Sequence, residues 1–152
     1  MRVKSKIHFP PEEMNLVVGD DVFPDLYECL NVLARNKNFY FIIDENIKSK
    51  YAVFFESIFD RPEVNFFSVK GGKANKSFAT AMSVFADLDE RNVARDVAIV
   101  AVGGGVVGDL SGFIASCWYR GVELIHVPTT LLAAVDSCLG GKTALNFRNT
   151  VN

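Results

Sequence analysis

The sequence predicts an α/β protein with an open, mostly parallel, Rossmann-like sheet covered by helices on both faces. Strand-like and helix-like patterns alternate along the 152 residues. The strand candidates are short, continuous apolar runs, which is typical of parallel strands buried on both faces. A glycine-rich turn directly follows the most apolar of these runs, as expected for a ligand-binding α/β sheet. The length suits one domain, and we predict a single domain over residues 1–152.

The first half of the chain contains three strand patterns and two helix patterns. MNLVV (14–18), FYFII (39–43) and VNFFSV (64–69) are apolar runs with strand character. Apolar residues at helical spacing mark the segments between them: Phe23, Leu26, Leu30 and Leu33, then Ile47, Tyr51, Phe54 and Ile58. A glycine-containing loop, Lys70 to Lys73, follows the third strand.

The second half continues the alternation. The next helix is marked by Phe78, Met82 and Phe85 and broadened by Ala81, Val84 and Leu88. VAIVAV (97–102) is a strand that leads into three glycines and a further helix with Val106, Leu110, Phe113 and Cys117. VELIHV (122–127) is the last strand, closed by Pro128. Either Thr129 or Thr130 is expected to cap a helix that ends at Gly140-Gly141.

Composition and charge exclude several classes of function. The formal net charge is −2 with both signs scattered, so no clustered basic surface for nucleic acid is predicted. No apolar run approaches the roughly 20 residues that span a bilayer, and the N-terminus lacks the apolar core of a secretory signal. We therefore predict a cytoplasmic protein that binds neither nucleic acid nor membrane.

Cysteine and histidine usage predicts no metal site in this chain. Cys29, Cys117 and Cys138 are far apart and form no C-x-x-C pair, so they are expected to pack as small apolar residues. His8 and His126 each stand alone in an apolar context without a partner at ligand spacing.

The glycine turn is the first candidate binding element. Gly103, Gly105 and Gly108 fit G-x-G-x-x-G after a strand and at the start of a helix. Such a turn lets a backbone approach a pyrophosphate, which the free N–H groups of the helix N-terminus can bind. The alternative is a tight strand–helix turn that needs only small residues.

An acidic pair at the end of another strand is the second candidate. Dinucleotide sites use an acid at a strand end to hold ribose hydroxyls. Glu123 has the expected spacing after the glycines but begins its strand, whereas Asp44 and Glu45, followed by Asn46, end theirs. Asp44 could equally be a helix N-cap, and both roles are compatible because a carboxylate has two oxygens.

VPTTLLAAVDSCLGGKT is the third candidate. Asp136 and Ser137 are unusual in a Leu/Ala-rich helix unless they face a cleft, and Lys142 after two glycines places a cation on a loop that a ligand can approach closely. A solvated lysine at a helix end is the alternative. The G-x-x-x-x-G-K-[ST] phosphate loop is not matched. Arg120, in the link before strand 122–127, has the pattern of a surface residue.

Together these motifs resemble the 3-dehydroquinate synthase family. GGGVVGDLSGF, the pair Arg120-Gly121 and VPTTLLAAVDSCLGGKTALN have the residues and spacing typical of its N-terminal domain. Asp44-Glu45-Asn46 resembles the family's D-x-N segment, and GGKANKS (71–77) resembles its G-E-x-x-K-[ST] loop. The resemblance covers essentially the whole chain and implies the Rossmann-like fold already predicted.

The resemblance implies the reaction and its participants. Such enzymes convert 3-deoxy-D-arabino-heptulosonate 7-phosphate into 3-dehydroquinate and phosphate in the shikimate pathway, the route to the aromatic amino acids, using tightly bound NAD. A divalent metal, zinc or cobalt, is held by one Glu and two His of a helical C-terminal domain, which this chain does not include. The sugar phosphate is the expected ligand, a homodimer the expected assembly, and the fragment alone is expected to be inactive.

Site residues are carried over by motif position. The implied NAD contacts are Asp44, Asn46, Gly71, Gly72, Lys76, Gly103, Gly104, Gly105, Val106, Val107, Gly108, Asp109, Thr129, Thr130 and Lys142. The implied catalytic or substrate-facing residues are Asp136, Lys142, Arg120 and Asn152.

Three positions depart from the family pattern. Lys73 replaces a Glu on the adenosine side, Cys138 replaces a Ser, and Val151 replaces a Lys beside Asn152. Lys73 and Val151 keep open the alternative of a fragment of another NAD-dependent sugar-phosphate cyclase. A non-catalytic nucleotide-binding module that has lost its second domain is a separate alternative.

Overall fold

The computed structural model describes residues 3–9, 12–18, 26–33, 38–139, 141 and 143–152. They fall into two compact units, residues 1–36 and 37–152. In the first unit, strands β1 (Val3–Phe9) and β2 (Glu12–Val18) pair antiparallel as a separate two-stranded sheet, and helix α1 spans Leu26–Leu33. Strand 14–18 is confirmed, but it pairs with a strand that we had not predicted. Phe23 lies outside the described residues.

The second unit is built on a four-stranded parallel sheet. Strands β3 (Phe39–Asp44), β4 (Val64–Val69), β5 (Ala98–Gly103) and β6 (Glu123–Pro128) stand in the order β4-β3-β5-β6. All three pairings are parallel. Every residue of β5 is buried, and β3 is buried up to Ile43, because the central strands of a parallel sheet are covered on both faces.

Helices cover both faces of this sheet, as predicted. Helices α4 (Phe78–Glu90) and α5 (Gly105–Cys117) form one core with the side chains of Tyr40 and Ile42. Helices α2 (Glu45–Lys50) and α3 (Ala52–Phe59) follow β3. The ring of Phe59 contacts Phe41 and stacks on Phe66 at 4.2 Å, on the opposite face because side chains alternate along a strand.

Three local features differ from the sequence prediction. The helix expected over Ile47–Ile58 is two helices, because Tyr51 has φ −115° and ψ 34°, outside the helical range. Helix α4 buries Ala81, Val84 and Leu88, whereas Phe78 and Met82 are exposed. The helix expected after Thr130 contains a π-type turn, Ala133–Ser137. None of the described helices is long and apolar enough to cross a membrane.

Candidate functional site

The carboxyl ends of the four parallel strands meet at one edge of the sheet. In register, Asp44 lies beside Val69, and Gly103 lies beside Pro128. The loops that leave these strands therefore begin side by side, the arrangement in which open α/β sheets bind ligands. This edge carries three groups of the predicted site residues.

The first group surrounds the Asp44 carboxylate. Its Oδ1 accepts the N–H of Asn46 at 2.9 Å and caps helix α2, as the capping interpretation predicted. Its Oδ2 faces the next loop, where a β-carbon on Gly71 would approach to 3.0 Å. Asn75 donates to the carbonyl of Gly71 at 3.1 Å and holds that loop. Gly72 has φ 102°, a backbone conformation that residues other than glycine rarely adopt. One carboxylate oxygen thus caps the helix while the other faces the neighbouring loop.

The glycine turn forms the second group. Gly104 is the N-cap of α5 and supplies no side-chain cap, so the first N–H groups of the helix are left for a ligand. A β-carbon on Gly103 would lie 2.7 Å from Val107. Val107 is buried, so its side chain packs on the strand and only its backbone can face a ligand. Thr129 donates its N–H to the carbonyl of Gly103 at 2.9 Å and joins the ends of β5 and β6.

The segment after β6 packs on the same turn. Thr130 Oγ1 accepts the N–H of Ala133 at 3.2 Å, so Thr130 is the capping threonine. The π-type turn carries Asp136, which is exposed, and Ser137, whose Oγ would lie 3.6–3.7 Å from β-carbons on Gly105 and Gly108. π-Type turns are frequent at functional sites.

A buried ion pair forms the third group. Lys76 is only 6% exposed, and its Nζ lies 2.5 Å from Asp109 Oδ2 and 2.5 Å from the main-chain oxygen of Asn152. Both side chains were predicted to contact the cofactor. The structure pairs them with each other, with Asp109 in the second turn of α5, and their contacts with the cofactor stay predictions.

One predicted residue, Arg120, does not join these groups, and another lies outside the described residues. Arg120 follows α5, whose 13 residues run away from the glycine turn for about 20 Å. It lies before β6 and therefore at the opposite edge of the sheet, exposed, with φ 66°. Its predicted role toward the substrate stays a prediction. Lys142, like Gly140, lies outside the described residues.

Burial shifts the pKa of two titratable side chains near the glycine turn, His126 and Cys138. His126 Nδ1 would lie 3.5 Å from a β-carbon on Gly108. Burial lowers the pKa of His126, and the charge of Asp109 opposes that shift. Burial raises the pKa of the Cys138 thiol, and a hydrogen bond with Ser137 opposes the rise. A neutral imidazole therefore lies under the turn at neutral pH.

We tested the implied metal against the donor set of the chain. Within the ranges that the structure describes, no group of three His, Cys, Asp or Glu side chains is placed to hold a metal ion. The described residues therefore do not fit a resident metal.

Two residues that no sequence motif singled out position the loop after β4. Asn75 holds the carbonyl of Gly71, and Asn146 donates its side-chain N–H to the carbonyl of Lys73 at 2.9 Å. Both are short polar residues in loops, where Asn side chains commonly bond to nearby backbone. An Asn in a loop therefore indicates a hydrogen bond to the backbone, but the sequence does not show which backbone group accepts it.

The fold defined by this sheet is that of the sugar-phosphate cyclases. A 2-deoxy-scyllo-inosose synthase complexed with carbaglucose-6-phosphate, NAD+ and Co2+ superposes with a TM-score of 0.84 at 30% identity, over 99% of this chain and 42% of that one. ValA, a 2-epi-5-epi-valiolone synthase from Streptomyces hygroscopicus subsp. jinggangensis 5008 with NAD+ and Zn2+ bound, superposes with 0.66 at 29% identity, over 76% and 34%.

Sequence comparison then gives the family. Residues 66–152 match the family described as 3-dehydroquinate synthase N-terminal. The 3-dehydroquinate synthase of Clostridium tetani is 40% identical over 79% of this chain and 32% of its own length, and that of Enterococcus faecalis 34% identical over 99% and 42%. The chain therefore belongs to the 3-dehydroquinate synthase family, and it spans less than half the length of these relatives.

Proposed function

We propose that this chain is the NAD-binding part of a 3-dehydroquinate synthase, which converts 3-deoxy-D-arabino-heptulosonate 7-phosphate into 3-dehydroquinate and phosphate. The observation that carries the proposal is the joint position of the Asp44 carboxylate and the uncapped N-terminus of α5 at one sheet edge. In this arrangement the carboxylate suits the ribose of a dinucleotide, and the N–H groups at the start of α5 suit its pyrophosphate.

Each group at the edge has a separate task in this proposal. Asp44 Oδ2 accepts hydrogen bonds from the hydroxyls of the adenosine ribose. Because Gly71 has no side chain, the nucleotide can approach this oxygen. The N–H groups at Gly105 to Val107 bind the pyrophosphate. Thr129 and Thr130, after the end of β6, would line the nicotinamide side of the cofactor, which would supply reversible hydride transfer when bound. Asp136 and Asn152 face the substrate.

The rest of the active site belongs to the proposed full-length protein. Its helical C-terminal domain supplies the ligands of the divalent metal, zinc or cobalt. The 152-residue chain alone is therefore inactive. The protein works in the cytoplasm as a homodimer. Arg120, at the far edge of the sheet, meets the substrate only in that larger assembly.

Calorimetric titration with NAD tests the binding site. Asp44→Ala removes both the ribose acceptor and the helix cap, whereas Asp44→Ser keeps a cap but shortens the side chain. We expect both variants to weaken NAD binding about tenfold or more. Only Asp44→Ala should also lower the free energy of unfolding, by about 1 kcal/mol. A folded chain that shows no saturable binding at millimolar NAD would contradict the proposed site.

A second candidate is another sugar-phosphate cyclase. The high structural similarity to 2-deoxy-scyllo-inosose synthase and the unusual Lys73 and Val151 favour it. Phosphate release by the full-length gene product distinguishes the two. Turnover of 3-deoxy-D-arabino-heptulosonate 7-phosphate alone supports the first candidate, and turnover of glucose 6-phosphate alone supports the second.

A further inference from the structure

We infer that His126 couples cofactor binding to proton uptake: its imidazole lies against the first turn of α5 and accepts a proton when the pyrophosphate of the dinucleotide binds at that turn. The inference rests on the proposed NAD site and adds a residue that makes no contact with the cofactor itself. Proton uptake makes the affinity for NAD depend on pH.

Two glycines of α5 let the helix lie close against β6. A β-carbon on Gly108 would lie 3.5 Å from His126 Nδ1 and 3.6 Å from Ser137 Oγ, and a β-carbon on Gly112 would lie 3.7 Å from Leu124 Cδ2. Residues four apart share one face of a helix, and alternate residues share one face of a strand. The half-buried imidazole therefore lies between β6 and α5, in space that a larger residue at position 108 would fill.

Gly108 closes the turn that would hold the pyrophosphate. Its N–H donates to the carbonyl of Gly104 at 3.0 Å, the N-cap of α5. The N–H groups of residues 105–107 precede this bond and are the ones left for a ligand. They lie within one helical turn of Gly108, which is about 5 Å along the axis. The imidazole is thus close enough for its charge to act on a bound anion.

The groups around the imidazole leave it neutral in the chain without cofactor. Burial lowers the pKa of His126, and the negative charge of Asp109 on α5 only partly opposes this shift because Asp109 is paired with Lys76. The neighbouring strand β5 carries no ionisable side chain. In the segment after β6, burial raises the pKa of the Cys138 thiol, and Asp136 is exposed.

A bound pyrophosphate changes this balance. Its negative charge favours the imidazolium form and raises the pKa of His126. Between the pKa of the free chain and that of the complex, the complex holds more protons, so the affinity for NAD rises as the pH falls through the pKa of the complex. Affinity levels off below the pKa of the free chain. Each unit by which the pKa rises tightens binding by at most about tenfold.

Calorimetric titration with NAD at pH 8 and at pH 5.5 tests the coupling. We expect the original chain to bind about three- to tenfold more tightly at the lower pH. His126→Gln keeps a polar side chain that cannot be protonated, and its affinity should not change with pH. His8→Gln, in the first unit, is the matched control and should keep the pH dependence. The same pH dependence in His126→Gln and the original chain, or none in the original chain, would overturn the inference.

An NMR titration of the two imidazoles separates this inference from the proposed function. The chain has two histidines, so the two glutamine variants assign both imidazole signals. Saturation with NAD should raise the pKa of His126 and leave that of His8 unchanged. If NAD binds and the pKa of His126 does not rise, the inference fails and the proposed function stands. If NAD does not bind, the proposed function fails, and inorganic pyrophosphate decides the inference: it survives only if pyrophosphate raises the pKa of His126.

Discussion

The backbone of Gly71 passes so close to the carboxylate of Asp44 that a β-carbon on residue 71 would lie 3.0 Å from Oδ2. It would also lie 3.7 Å from Asn46 Nδ2. Two loops that leave neighbouring strands thus converge on one carboxylate oxygen, while the other oxygen is engaged in capping helix α2. The space between Gly71 and Asp44 Oδ2 is so narrow that adding one methyl group at residue 71 tests the role of this oxygen.

Gly71→Ala should weaken NAD binding several-fold, equivalent to about 1 kcal/mol. The added methyl group must push Oδ2 or the loop away by a few tenths of an ångström, so the ribose acceptor moves. Lys70→Ala, one residue earlier and exposed, is the control and should bind like the original chain. Calorimetric titration measures both, and unchanged affinity in Gly71→Ala would show that Asp44 Oδ2 does not contact the cofactor.

Gly103→Ala should destabilise the fold itself. Its β-carbon would lie 2.7 Å from both Cβ and Cγ2 of Val107, inside a fully buried strand. Forcing such an atom into a packed core costs about 1–3 kcal/mol or more. Urea unfolding measures this cost. Gly104→Ala is the control, because its β-carbon meets Thr130 Cγ2 at an ordinary 3.4 Å, and it should cost about 1 kcal/mol or less. Equal costs for the two variants would contradict this account.

The parallel sheet could be predicted from the sequence because its strands are short, largely apolar segments. FYFII and VAIVAV are continuous apolar runs, whereas VNFFSV and VELIHV are largely apolar, and strands β3 to β6 coincide with the four segments to within one residue at each end. The cap by Asp44 and the turn at Gly103 were predictable for the same reason, since both depend on neighbours a few residues away. Local chemistry therefore predicted most of one sheet edge.

Contacts between distant segments could not be predicted this way. The bond between Lys76 and the oxygen of Asn152 joins residues 76 positions apart, and no spacing rule reports such a pair. The pairing of β1 with β2 was missed although Val3, Ile7 and Phe9 alternate with polar residues, because that pattern is short. The break at Tyr51 and the π-type turn at Ala133–Ser137 are local changes of backbone geometry, which the spacing of apolar residues does not report.

Stability should fall in alkaline solution because of Tyr40. Its buried hydroxyl donates to Asp87 Oδ2 at 2.6 Å, and burial together with this carboxylate raises the pKa of Tyr40 far above its usual range. In the unfolded chain the phenol ionises near pH 10, so the unfolded state is favoured as the pH rises through about 10 and beyond. Below that pH the stabilisation is fully present.

Tyr40→Phe should remove this alkaline sensitivity and, at neutral pH, cost about 1–2 kcal/mol through the lost hydrogen bond. Urea unfolding at pH 8 and above pH 10 measures both effects by comparison with the original chain. Tyr119→Phe, at an exposed tyrosine, is the matched control and should keep the alkaline decline. An alkaline decline in Tyr40→Phe as steep as in the original chain would show that Tyr40 is not its source.

His126 should make the fold sensitive to acid. Burial lowers the pKa of its imidazole, and the nearby carboxylate of Asp109, paired with Lys76, only partly opposes this shift. Protons then bind the unfolded histidine more readily, so the stabilisation present above about pH 6.5 is lost as the pH falls through the lower pKa of the folded state. His126→Gln cannot be protonated and should flatten the decline of unfolding free energy between neutral and mildly acidic pH. Tyr40→Phe, which leaves the imidazole in place, should keep that decline, and an identical acid profile in His126→Gln and the original chain would assign the sensitivity to other groups.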